Sequence, residues 1–170
     1  TYLLFKKGWS GINIDLNKTS IELFDKARRN DLNLRIAVSN KFKKIKYFYR
    51  KKINMLNTIN KKFARNSFRK GFKTSFVQAD TLNSVLGKSK FKNKKIDFLN
   101  LDIEGNEINA LKSLNFRKYN PKLICVEIHN YPSSKSKINN LKSNPIYSFL
   151  LRKSYRKVWN NEFSFIFKRN

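Results

Sequence analysis

A single cysteine (Cys125) and a single histidine (His129) stand among the 170 residues of this chain. One thiol excludes a disulfide framework and any cysteine-based zinc cluster, and it points to a reducing compartment, the cytoplasm. One imidazole excludes a histidine-rich metal site and any triad that needs a second His. No apolar run approaches the roughly 20 residues of a membrane span, and residues 1–7 do not read as a signal peptide. Acidic residues are scarce, 11 Asp+Glu against 38 Lys+Arg, for a net charge of +27. That excess invites a polyanionic partner. A competing reading is compositional: Lys, Asn and Ile are abundant together, and adenine- and thymine-rich codons favour all three. What is present is an apolar fraction of 40% with 15 Phe and 7 Tyr, enough for one folded domain spanning residues 1–170.

The chain opens in mid-pattern. Tyr2-Leu3-Leu4-Phe5 before Lys6-Lys7-Gly8 reads as the last turns of an apolar helix with a glycine stop. Gly11 to Asp15 reads as a short strand ending in a carboxylate. Thr19 and Glu22 have capping-box spacing, and Ile21, Phe24 and Ala27 follow on one helical face. Leu34 to Val38 is a second β-rich run, so the whole is a βαβ unit with a parallel pair and a right-handed crossover. Between Asp31 and Asp80 there is no acidic residue, while Lys/Arg and aromatic residues interleave. Lys46 to Tyr49 suits a strand, but residues 41–75 otherwise read as a basic excursion without a clear period. Asp80 to Leu86 suits a capped helix, Ile96 to Leu101 a buried strand, Glu107 to Leu114 a helix with Ile108, Leu111 and Leu114 inward, and Leu123 to Ile128 another strand. A Ser/Lys loop at 133–137 precedes a helix at Ile146 to Leu151, and a hairpin around Asn160-Asn161 closes the chain. Alternation of this kind predicts a doubly wound α/β fold, mostly parallel, with an antiparallel C-terminal hairpin.

Ligands of open α/β sheets bind beyond the carboxyl ends of the strands, and three acidic sites fall there. Asp15 can accept the two hydroxyls of a ribose, as the strand-end carboxylate does in nucleotide-binding βαβ units, or it can start a turn. Asn17 can position a cofactor or form that turn. Asp102-Ile103-Glu104-Gly105-Asn106-Glu107 packs three carboxylates into one strand-to-helix turn of a very basic protein. Glu107 suits a helix start, Asp102 is harder to explain as a cap, and Glu104 fits either reading. Cys125, Glu127 and His129 share one face of a strand, where His129 can act as a general base or line a pocket and Cys125 can simply pack.

Taken in order, these segments resemble the FkbM family of S-adenosylmethionine-dependent methyltransferases. The resemblance is carried by Gly8-Trp9-Ser10-Gly11-Ile12-Asn13-Ile14-Asp15-Leu16-Asn17, Ala37-Val38-Ser39, Thr81-Leu82, Ile96 to Glu107 and Leu123 to His129. It implies a Rossmann-like methyltransferase sheet and methyl transfer to a hydroxyl of a sugar, glycan, lipid-linked or natural-product acceptor. It further implies that Asp15, with Asn17, binds the cofactor ribose and that Ser39 and Asp80 lie on the adenine side. Asp102 would stand beside donor and acceptor, with Glu104 or His129 as candidate bases and no metal required. The family's Asp-x-Gly-x-x-x-Gly turn has no counterpart in the sequence. The expectation is a chain that begins inside the first helix, lacks the first strand, and by itself binds S-adenosylmethionine weakly or not at all. Two rival readings stand beside this one. The basic, aromatic stretch at 32–79 resembles a nucleic-acid stacking surface, and a fold without its cofactor turn could be a non-catalytic remnant.

Overall fold

In the computed structural model, which describes residues 1–51, 56–69, 71–128, 141 and 143–170, helix α1 (Tyr2–Lys6) precedes β1 (Ile12–Asp15), helix α2 (Lys18–Ala27) and β2 (Leu32–Arg35). β1 and β2 pair in parallel with Asp15 opposite Arg35, so the βαβ unit is present. Its helix is capped differently from the sequence expectation. The N-cap is Asn17, whose side chain accepts from Thr19 N at 2.9 Å. Glu22 instead pairs with Lys18 across one turn at 3.3 Å, so Thr19 and Glu22 form no capping box. Ala27 is exposed, and Arg28 is the buried residue at that end. Its guanidinium lies over Phe5 and Phe24, forms an ion pair with Asp31 at 3.8 Å, and donates to Asn13 Oδ1 at 3.3 Å. Asp31 in turn receives Gly11 N and Asn13 Nδ2, both at 2.9 Å. A buried cation is tolerated only when paired and hydrogen-bonded, and this network supplies both.

The chain folds as two compact units, one of Thr1–Asn93 with Glu104–Ser113 and one of Lys94–Ile103 with Leu114–Asn170. In the first, the run expected as one strand at 34–38 divides, because Arg35 ends β2 while β3 (Ala37–Val38) joins a different sheet. That sheet has the order β3-β5-β4, formed with β4 (Lys43–Tyr49) and β5 (Lys73–Asp80). The basic excursion is therefore structured over its described residues. A seven-residue antiparallel ladder joins β4 to β5, and α3 (Lys61–Ser67) is capped by Asn60. Ala37, Tyr47, Val77 and Ala79 form one core, and Phe48, Ala64 and Phe68 a second beneath α3. The missing period has a simple cause, since each face of the ladder mixes lysines with apolar residues: Lys44 and Lys46 share one face with Phe48 and Phe76, and Lys43 shares the other with Ile45, Tyr47 and Val77. Asp80 ends β5 rather than opening a helix, and Thr81 caps α4 (Leu82–Lys88). Helix α5 (Glu107–Lys112) completes this unit, with Ala110 and Leu111 fully buried.

The second unit is a sheet of order β6-β7-β9-β8. β6 (Phe98–Leu101) and β7 (Leu123–Glu127) are parallel; β9 (Ser164–Arg169) runs antiparallel to both β7 and β8 (Tyr155–Asn160). The expected hairpin is there, held by Asn161 Oδ1 accepting from Phe163 N and Ser164 N. The Ser/Lys loop at 133–137 lies outside the described residues. Across the described sheets three pairings are parallel and three antiparallel, so the fold is mixed α/β and less parallel than expected, chiefly because β4 and β5 add an antiparallel pair. Ile124, Val126, Phe165 and Phe167 are fully buried with Leu150 of helix α6 (Pro145–Arg152).

Tyr155 is 1% exposed, and its hydroxyl donates to the Pro121 carbonyl. Burial pushes the phenol from 10 up to about 12, against a smaller opposing pull from Arg169. A raised pKa on an acid stabilises the fold below its unfolded value, so this contribution is intact below pH 10 and is lost as the pH rises from 10 to 12. Phenolate absorbance is expected to show a component titrating near 12 that disappears in Tyr155→Phe. Absence of that late component in the wild type overturns the assignment.

Candidate functional site

Asp15 is the last residue of β1, where the chain turns toward the Asn17 cap of α2. Its Oδ1 accepts from Asn17 N at 2.7 Å, and Oδ2 has no partner among the described residues. Turn formation and ligand binding are therefore compatible: one oxygen holds the turn and one remains to accept a hydroxyl. Asn17 is buried as the cap of α2. A cavity of about 350 Å³ opens beside this turn, lined by Asn17, Lys18, Arg35, Tyr47, Tyr49 and Asn57 among others. Tyr47 and Tyr49 stack with centroids 5.4 Å apart, and Arg35 Nε donates to the Leu16 carbonyl at 3.3 Å.

Ser39 and Asp80 are brought together at the carboxyl ends of β3 and β5, where Ser39 N donates to the Asp80 carbonyl at 2.9 Å. The Asp80 carboxylate is heavily used. It accepts from Thr81 N at 2.7 Å and Ser84 Oγ at 2.8 Å, with Lys88 Nζ 3.5 Å away. Its backbone marks a strand end, while its side chain fastens the start of α4.

Residues Glu104 to Glu107 form a tightly constrained turn in the first unit. Glu104 has φ +57 and Gly105 φ +91, both left-handed, and Glu104 and Glu107 are buried. Glu107 Oε1 accepts from Gly105 N at 3.0 Å, the local work expected of a helix-start carboxylate. Three residues that the sequence did not single out hold this turn. Thr58, fully buried, donates its hydroxyl to the Glu104 carbonyl at 2.7 Å. Asn60 Nδ2 donates to the Gly105 carbonyl at 2.9 Å, while its Oδ1 caps α3. Asn106 Nδ2 donates to the Val38 carbonyl at 2.6 Å, tying the turn to β3. Asn57-Thr58-Ile59-Asn60 did carry a legible signal, a polar cluster before a helix, but nothing in it named the partner.

In the second unit Asp102 follows β6 and Glu127 ends β7, the neighbouring parallel strand. Asp102 is exposed, Glu127 half-buried, and each offers a carboxylate oxygen within 4.8 Å of the other's. Cys125, expected to be a buried packing residue, is half-buried on the same face as Glu127. Desolvation, then the Asp102 carboxylate and that of Glu127, push its thiol up, which keeps it protonated and a poor nucleophile. His129 lies outside the described residues.

Strand-end carboxylates with a constrained strand-to-helix turn are what an α/β group-transfer enzyme would present, and comparison with known families fixes the class: this is a methyltransferase. The model of the methyltransferase FkbM domain matches residues 1–157, and the chain belongs to that family. No curated protein and no solved structure matches it. Among the described residues no helix is long and apolar enough to cross a membrane.

Proposed function

We propose that the chain is an S-adenosylmethionine-dependent O-methyltransferase, a single domain of doubly wound Rossmann-like arrangement over residues 1–170, acting in the cytoplasm. Its acceptor is a hydroxyl of a sugar, glycan, lipid-linked or natural-product molecule. The observation that carries this reading beyond family membership is Asp15, a strand-end carboxylate with one oxygen closing a turn and the other still able to accept. The ribose side of a nucleoside donor fits such a group, and the adjoining cavity with its stacked tyrosines supports the fit. The sequence holds no glycine-rich turn for the methionine side, so the fit concerns the ribose and adenine sides alone.

When bound, the sulfonium donor supplies an electrophilic methyl group. The work left to the protein is alignment, which lowers the barrier by several kcal/mol, and removal of the acceptor proton. Asp15 binds the ribose hydroxyls, and Asn17 fixes the turn that aims it. Ser39 and Asp80 border the adenine. Asp102 holds the donor side and is the first candidate to take the hydroxyl proton, with Glu104 and His129 as the other candidates.

The test is methyl transfer from labelled S-adenosylmethionine to hydroxyl acceptors by the protein expressed from its intact gene. Asp15→Asn keeps one acceptor oxygen for the Asn17 turn and removes the carboxylate charge. A hydrogen bond to a charged group contributes about 1.5–3 kcal/mol, so the donor KM should rise roughly 10- to 100-fold with kcat little changed and the melting temperature retained. An unchanged KM removes Asp15 from the ribose site.

A further inference from the structure

Neither the fold nor the donor site accounts for the outer face of the β4–β5 ladder. The register sets Phe76 directly opposite Lys46 and Gln78 opposite Lys44. Strand alternation therefore puts Lys44, Lys46, Phe76 and Gln78 on one face, while Tyr47, Val77 and Ala79 point into the core. Farther along the same face Phe48 is covered by Ala64 and Phe68, so the open part is the lysine end. Phe76 is 55% exposed there, with Lys44 Nζ 5.5 Å and Lys46 Nζ 5.7 Å from its ring centroid. Phe42, 68% exposed just before β4, has Lys88 Nζ 5.5 Å from its own ring. The sequence offers these lysines no acidic neighbour between Asp31 and Asp80, and the Asp80 carboxylate is already occupied by Thr81, Ser84 and Lys88.

Phe76 lies at mid-strand on an open face and belongs to neither of the two core clusters described for this sheet, so its exposed ring contributes little to folding. Ringed by ammonium groups, it combines a stacking surface with phosphate-neutralising charge. We propose that this face binds single-stranded nucleic acid, with Phe76 stacking on a base and Lys44 and Lys46 meeting the flanking phosphates. The chemistry selects among polyanions. A duplex hides the faces of its bases, so a ring on a flat sheet has nothing to stack on. An anionic membrane favours several apolar side chains projecting together, whereas Phe76 projects among Lys44, Lys46 and Gln78. Cation–π contacts at such exposure are weak and are readily exchanged for a base. The proposal does not rest on the methyltransferase reading.

Fluorescence anisotropy of the full chain with a labelled 20-mer of deoxythymidine tests it at about 50 and 200 mM salt. Affinity should fall as salt rises. Phe76→Ala should weaken binding about tenfold or more at fixed salt without altering the salt dependence. Lys44→Gln with Lys46→Gln should lower the logarithmic salt slope by roughly 1.4, the value for two single-strand phosphates. Because Phe76 is half in solvent, its loss should leave the melting temperature unchanged; should it not, Phe76→Trp provides a larger ring and must bind at least as tightly as wild type. No binding at the lower salt overturns the proposal. So does an unaltered affinity in Phe76→Ala, tighter binding of a duplex, or capture by phosphatidylglycerol vesicles in preference to the oligonucleotide.

Discussion

Gly105→Ala is expected to lower folding stability by about 2–4 kcal/mol, a large loss for the addition of one methyl group. Two effects combine. Gly105 has φ +91, where an L-residue pays about 1–2 kcal/mol. A Cβ there would also stand 2.9 Å from Asn60 Nδ2 and 3.5 Å from Phe63 Cβ. The nearer atom is the one that donates to the Gly105 carbonyl, so the methyl group displaces the hydrogen bond that fastens the turn, a net loss of about 1 kcal/mol. Asn60 also caps α3 through Lys62 N and Phe63 N, so moving it frays a second element. Urea denaturation of wild type, Gly105→Ala, Asn60→Ala and the double variant separates the two terms. In the Asn60→Ala background only the backbone strain remains, and the cost of the alanine should fall to about 1–2 kcal/mol. A loss below about 0.5 kcal/mol in the single variant would mean that the turn relaxes freely and that its geometry is not held by Asn60.

The contrast between what the sequence disclosed and what it concealed follows from the range of each interaction. Elements defined by local pattern were legible: β1, β6 and β7 as short apolar runs, α1 with its Gly8 stop, and the hairpin around Asn160-Asn161. Caps were only half legible. Asn17 and Thr19 are both good cap residues two positions apart, and what decides between them is that Asp15 Oδ1 already holds Asn17 N and so sets where the turn ends. Arg28 could not be read as a buried residue, because its partners Asp31 and Asn13 are assembled only when β1 and β2 pair. The ladder between β4 and β5 hides for a related reason. The Lys44-Ile45-Lys46-Tyr47 alternation breaks at Phe48, which lies on the lysine face yet is covered by Ala64 and Phe68. Phe76 adds an apolar residue to that same face of β5, so the rhythm is lost in both strands until they pair. The same reasoning explains the candidate site. Asp15, Asp102 and Glu127 stand out as carboxylates at strand ends, but Thr58, Asn60 and Asn106 hold the acidic turn across separations of 45 to 68 residues. Short-range spacing carries no trace of such partners.

Asp102→Asn is expected to cut turnover at least about 100-fold in the enzyme acting on its hydroxyl acceptor, the lower end of what a positioned base contributes. The substitution conserves shape and one acceptor oxygen but cannot take a proton. Asp102 is exposed directly beyond β6, so the amide costs little folding energy and the loss should appear in kcat rather than in the melting temperature. It also removes one of two carboxylates that approach within 4.8 Å of each other in the second unit, relieving like-charge repulsion on Glu127. Stability should therefore hold or rise slightly, which makes a large kinetic defect all the harder to ascribe to unfolding. The kinetic constants distinguish the roles open to this residue. Loss of a base lowers kcat at unchanged donor KM and abolishes the acidic limb of the pH–kcat profile, whereas loss of a donor contact raises KM and leaves that limb in place. A defect smaller than tenfold excludes Asp102 as the base. Glu104→Gln and His129→Ala, measured on the same footing, then identify which of the remaining two takes the proton: the variant that loses the acidic limb is the one that held it.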